Sequence, residues 1–156
     1  RPEATEGYEG FSHLCAMQGE VELATLEYII RDHDRASFEA RKALFESAAA
    51  FLNAKYGAGT VEVALRDSYY NMREKIEPHM AIVEAAQQAM RDAGVTPRVV
   101  PIRGGTDGAR LSYEGLPCPN LFTGGENYHG RFEYVPVEDM EAAVRTLKCI
   151  LRNAAK

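Results

Sequence analysis

The sequence predicts an α/β protein in two parts: a small α+β sheet-and-helix layer, then helices alternating with short strands, as in a portion of a parallel α/β domain. Three observations carry this. Residues 23–30 and 61–65 alternate in polarity with period two, as strands do; residues 36–56 and 137–153 place apolar side chains at helical spacing; and the polar run Arg73-Glu74-Lys75-Ile76-Glu77-Pro78 divides the chain.

Taken in order, residues 10–17 read as a first extended segment, the polar Gln18-Gly19-Glu20 as a hairpin turn, and Ala24, Leu26, Tyr28 and Ile30 as one face of a half-buried strand. Phe38, Phe45, Ala48, Phe51 and Leu52 then define a long amphipathic helix from about Ala36 to Tyr56, stopped by Gly57 and Gly59. Val61, Val63 and Leu65 make a strand that runs on towards Tyr69, Tyr70 and Asn71. A domain boundary is expected next, giving residues 1–73 and 74–156. Pro78 suits the first turn of a helix that buries Ile82, Val83, Ala86, Met90 and Ala93 and ends at Gly94. A short strand at 98–102, a short helix from about Gly108 to Tyr113, a short strand at 120–123 and a last helix from Val137 to about Asn153 follow. In that helix acidic Glu138 and Asp139 lead and Lys148 and Arg152 close, as the helix dipole favours.

Composition excludes several functions. With 156 residues, 46% hydrophobic and 26% charged, the chain reads as one that folds. Its formal net charge of −5 weighs against nucleic acid and against anionic membrane surfaces. No apolar run approaches the roughly 20 residues that cross a bilayer, so no membrane partner is expected. Three widely spaced cysteines, Cys15, Cys118 and Cys149, fit neither a disulfide framework nor a zinc knuckle, and a reducing cytoplasm is the expected location. The chain opens Arg1-Pro2-Glu3 without a Met, so a longer parent is expected.

Two glycine-rich loops follow short strands and are the places to look for chemistry: residues 103–108 and 124–130. In the first, backbone amides, a helix start and the Arg103 fork suit an anion; alternatively Thr106 or Asp107 caps the helix and the glycines merely turn. In the second, His129 sits on a loop, either as a working histidine or as a surface residue. Arg31, near a strand's end, is placed to meet a carboxylate or to pair with Asp32 or Asp34. Tyr69, Tyr70 and Asn71 line a cleft or finish a sheet. His13, His33 and His79 read as a strand residue, a member of a charged cluster and a first-turn helix residue. No His-x-Asp, Glu-Glu, His-Glu-x-x-His or Gly-x-Ser-x-Gly occurs, so the chain has no complete metal or nucleophile constellation of its own.

Five runs together carry a resemblance: Glu6-Gly7-Tyr8-Glu9-Gly10-Phe11, Tyr28-Ile29-Ile30-Arg31-Asp32, Asp67-Ser68-Tyr69-Tyr70-Asn71-Met72, Arg103 to Gly108, and Leu116-Pro117-Cys118-Pro119-Asn120-Leu121-Phe122-Thr123-Gly124-Gly125. Over essentially its whole length the chain resembles the tripeptide aminopeptidases of the dinuclear zinc peptidase family. The resemblance implies that residues 1–73 are part of a lid domain of dimerisation type and that 74–156 are the C-terminal part of the catalytic domain. It implies two zinc ions in the complete enzyme, with His129 on the family's last metal-ligand position and no other ligand in this chain. It implies that Arg31, Arg103 and Thr106 hold a tripeptide's carboxylate or polarise its carbonyl, with Asn71 and Asn127 as further polar contacts. The general base and the remaining ligands would lie before Arg1, and the family's lid histidine is missing here as well. The chain alone is therefore expected to be inactive, with the missing N-terminal part of the protein as its partner and homo-oligomers as a further possibility. Two other readings stand beside this one: a non-catalytic oligomerisation module, and an anion-binding α/β module built on the Arg103 loop.

Overall fold

The computed structural model describes residues 1–155. They divide into two compact units, Arg1–Asn71 with Pro101–Gly105, and Met72–Val100 with the residues from Thr106 onward.

In the first unit, β1 (Phe11–Gly19) and β2 (Ala24–Arg31) form an antiparallel hairpin in which Phe11 faces Arg31 and Gly19 faces Ala24. The register slips between Leu14 and Ala16, so Cys15 is the extra residue of a bulge. The expected turn at Gln18–Glu20 lies two residues later. Gln18 and Gly19 are still paired, and the chain reverses over Glu20–Leu23, where the Glu20 N–H donates to the Leu23 carbonyl at 2.8 Å. Glycine suits this paired position, where a Cβ would stand 3.1 Å from that of Ala24. The strand expected to be half-buried is mostly exposed, and its link to the following helix is Tyr28, set edge-on to Phe45 with centroids 4.9 Å apart.

Helix α1 (Arg35–Tyr56) starts where the Asp34 carboxylate accepts the Ser37 N–H at 2.7 Å and stops at Gly57, whose φ of 113° no other residue adopts readily. The strand expected over 61–71 has no ladder among the described residues. In place of a neighbouring strand, the Asn53 side-chain amide bonds both backbone groups of Val61, each at 2.8 Å. An amide side chain offers the same donor and acceptor as a peptide group.

In the second unit, α2 (Arg73–Ile76) and a 3₁₀ turn (Glu77–His79) lead into α3 (Met80–Asp92), and Gly94 closes it with φ 78°. Helix α4 (Asp107–Tyr113) and helix α5 (Val137–Ala154) follow. α3 packs on α5, burying Ala89 and Thr146, and Asn153 Nδ2 donates to Asp92 at 2.9 Å. The strands expected at 98–102 and 120–123 also have no ladder, so no parallel sheet is formed among the described residues. Helices close their hydrogen bonds locally; a strand needs a neighbour. The fold remains an α/β mix, and no helix is long and apolar enough to cross a membrane among the described residues.

Candidate functional site

Arg31, Asn71 and Arg103 lie in the first unit, around the end of β2. Arg31 does not pair with Asp32 or Asp34, the alternative open in the sequence; its Nη1 donates to the Arg103 carbonyl at 2.8 Å. Asp32 is held instead by Arg41 at 2.8 Å, because the next helix brings that cation over it. The Arg103 fork turns back on Thr5, with Nη1 donating to its carbonyl at 2.6 Å and Nη2 to its hydroxyl, and the guanidinium lies 5.2 Å from the Phe11 ring centroid. Arg103 Nε is buried and finds no protein acceptor. Asn71 Nδ2 donates to the His33 carbonyl at 3.1 Å.

The glycines of this loop are there for close approach. A Cβ on Gly105 would run into the Tyr69 ring, and one on Gly104 would stand 3.4 Å from Arg31 Nη1. The neighbouring Asp67-to-Met72 run is knit to α1: the Tyr70 hydroxyl donates to Asp67 at 2.8 Å, Lys42 reaches both carboxylate oxygens at 3.0 and 3.1 Å, and Arg35 stacks 3.8 Å over Tyr70. The Tyr70 hydrogen bond, then Lys42, holds the Asp67 carboxyl below its usual range, and bonds to Glu39 and Asp67 raise Lys42.

Thr106, Asn127 and His129 lie in the second unit. Thr106 is the N-cap of α4: its Oγ1 accepts the Ala109 N–H at 3.3 Å and the Asn120 amide at 3.1 Å. Gly108 is buried, and a Cβ there would stand 2.5 Å from the Cys118 carbonyl oxygen. The loop after Thr123 is closed by paired hydrogen bonds between Glu126 and Tyr134. Inside that ring Asn127 and His129 both adopt left-handed backbone, φ 55° and 62°, and the His129 N–H donates to Glu133 Oε2 at 3.2 Å. His129 is exposed. A non-glycine residue held in this region stores strain, and such residues gather at functional sites.

His33 is the residue that sequence reasoning passed over. Its ring nitrogens approach the Tyr8 and Ile102 carbonyls, each at 3.2 Å, and only the fold brings positions so distant in sequence together. His13 is exposed on β1, and His79 ends the 3₁₀ turn.

The chain matches the family model described as Peptidase family M20/M25/M40 over residues 6–153. It belongs to that peptidase family. It is similar to proteins named Peptidase T: 59% identical over 156 residues to that of Caldanaerobacter subterraneus, covering 100% of this chain and 38% of the relative. To those of Shouchella clausii and Exiguobacterium sibiricum it is 60% and 57% identical over 155 residues, covering 99% of this chain and 38% of each relative. The chain thus spans about 38% of the length of the curated relatives it matches. The M20 family is generally metal-dependent. Among the described residues, however, no three His, Cys, Asp or Glu side chains come together as a metal site. A zinc pair does not fit what this chain presents by itself; His129 offers one imidazole.

Proposed function

We propose that the chain is the C-terminal portion of a zinc-dependent aminopeptidase that releases the N-terminal residue from tripeptides in the cytoplasm, and that it is inactive by itself. In this reading residues 1–73 belong to a lid domain and 74–156 to the catalytic domain. His129 is one metal donor, and the other ligands and the general base come from sequence outside these 156 residues. Arg31 and Arg103 supply fixed cationic donors for the tripeptide carboxylate, Thr106 assists at the carbonyl, and Asn71 and Asn127 add polar contacts. The support is the 57–60% identity to Peptidase T over 99–100% of the chain, together with an exposed histidine in strained, left-handed backbone.

The test uses this chain alone and mixed with the segment of the Caldanaerobacter relative that the match leaves uncovered. Zinc content and tripeptide hydrolysis are measured. The lone chain should bind no zinc pair and turn over nothing; the mixture should do both, and His129→Ala should abolish turnover. Turnover by the lone chain would refute its incompleteness, and turnover retained by His129→Ala would remove that residue from the site.

A second reading, an oligomerisation module, is favoured by the hairpin itself. Among the described residues neither strand has a second neighbour, so each has an open edge, and Met17, Val21 and Leu23 are exposed. A dimer of the lone chain that Leu26→Lys on β2 dissociates, seen by light scattering, would favour it.

A further inference from the structure

Among the described residues, the 101–105 segment that carries Arg103 has no strand beside it, so its carbonyls are left to side chains or water. Two side chains from the end of β2 supply them. Arg31 Nη1 takes the Arg103 carbonyl at 2.8 Å, and His33 Nε2 takes that of Ile102 at 3.2 Å. Arg31 and His33, two residues apart at the end of β2, thus each hold one of two successive carbonyls.

His33 reaches further. Its Nδ1 lies 3.2 Å from the Tyr8 carbonyl, its ring stands edge-on to Tyr8 with centroids 5.1 Å apart, and its own carbonyl accepts the Asn71 amide at 3.1 Å. One residue therefore ties the turn before β1, the end of the 61–71 segment and the 101–105 segment. A carbonyl oxygen only accepts, so each ring nitrogen that bonds one carries a proton; both bonds together are made by the imidazolium, and either neutral tautomer makes one of them.

We infer that His33 is a positioning residue: a clamp whose ring, lodged between the Tyr8 and Ile102 carbonyls, fixes the 101–105 segment and thereby sets where the Arg103 guanidinium lies. The inference rests on the proposed peptidase reading only for what Arg103 does to substrate. The clamp stands or falls within this chain.

Trypsin reads it directly, since cleavage after Arg103 requires that guanidinium to leave Thr5 and enter the protease pocket. In the 156-residue chain, the Arg103–Gly104 bond should be cut slowly. His33→Phe keeps a ring against Tyr8 but removes both donors, and should speed that cut at least tenfold while cleavage after Arg110 and Arg145 is unchanged. His33→Gln, with donors on one side only, should fall between. Equal cutting after Arg103 in His33→Phe, with helical circular dichroism intact, would overturn the clamp; if that variant loses its helices, His33→Gln cut at the wild-type rate does so.

In the recombined enzyme, His33→Phe should raise the tripeptide KM severalfold with little change in kcat. An unchanged KM beside accelerated proteolysis would overturn the positioning of substrate by this route. Absence of turnover in the wild-type mixture would count against the peptidase reading and leave the proteolysis result to decide the clamp.

Discussion

Arg41 Nε lies 2.8 Å from Asp32 Oδ2, and the Asp32 side chain is only 6% exposed. The same carboxylate fills the place a side chain would take on Gly10 and accepts the Asp34 N–H at 3.1 Å. A buried carboxylate stripped of its cation keeps its desolvation cost and loses its compensation. Arg41→Met should therefore destabilise the chain by about 1–2 kcal/mol, the low end of the range because Arg41 is 36% exposed. Urea unfolding of Arg41→Met, Asp32→Asn and the pair tests this; strictly additive effects would mean that solvent already screens the interaction.

Gly108→Ala sets two effects of opposite sign against each other. Alanine improves helix propensity by about 1 kcal/mol. Its Cβ, however, would meet the Cys118 carbonyl at 2.5 Å and Asn120 Oδ1 at 2.8 Å, and the first of these is backbone that cannot swing away. Overpacking should win, with a net loss of about 1–3 kcal/mol in denaturant unfolding. A higher melting temperature would show that the loop after α4 yields.

Acid should weaken the first unit through two carboxylates. The Ser37 N–H holds Asp34 below its ordinary 3.8, and the Tyr70 hydroxyl and then Lys42 hold Asp67 below the same value. A depressed folded-state value means the unfolded chain binds more protons, so stability rises with pH. The contribution is complete above 3.8 and is lost as pH falls through the lower folded-state values. Unfolding midpoints measured against pH should fall in that acidic window, and Asp34→Asn with Asp67→Asn should flatten the fall. An unaltered slope in the double variant would assign acid sensitivity to other groups.

Thr146 is 1% exposed where α5 meets α3, and its hydroxyl has no hydrogen-bond partner. An orphaned buried hydroxyl carries its desolvation cost without return. Thr146→Val, which keeps the branched shape, should stabilise the chain by about 1 kcal/mol, read as a shift in urea midpoint. A loss of stability would reveal that the hydroxyl is satisfied in solution.

Helix ends were legible because their signals are local. Gly57 after α1 and Gly94 after α3 each act on backbone groups within a turn of themselves, whereas Asp34, read only as part of a charged cluster, is identified as the cap of α1 by the structure. Strands are less legible for a physical reason: alternation at Val61, Val63 and Leu65 describes two faces of an extended segment but contains nothing about what pairs with it. Asn53 answers for Val61, and no local pattern announces that. The glycine loops were readable as special, yet their cause was ambiguous. Tyr69 beside Gly105 and the Thr106 cap on α4 show packing and capping at positions where ligand binding was one of two expectations.

Alone, the order of amino acids determined where α1 and α3 stop, which loops bend sharply, and kinship with the M20 peptidases, since each is written in neighbouring residues or in motif runs; it did not announce the short α2 in the polar run before Pro78. Tertiary structure decided which carbonyls are held by which side chains. His33 lies 69 positions from Ile102, and Arg31 lies 72 from Arg103. Contacts across such separations depend on how the whole chain closes on itself, and no periodicity in a short window encodes them.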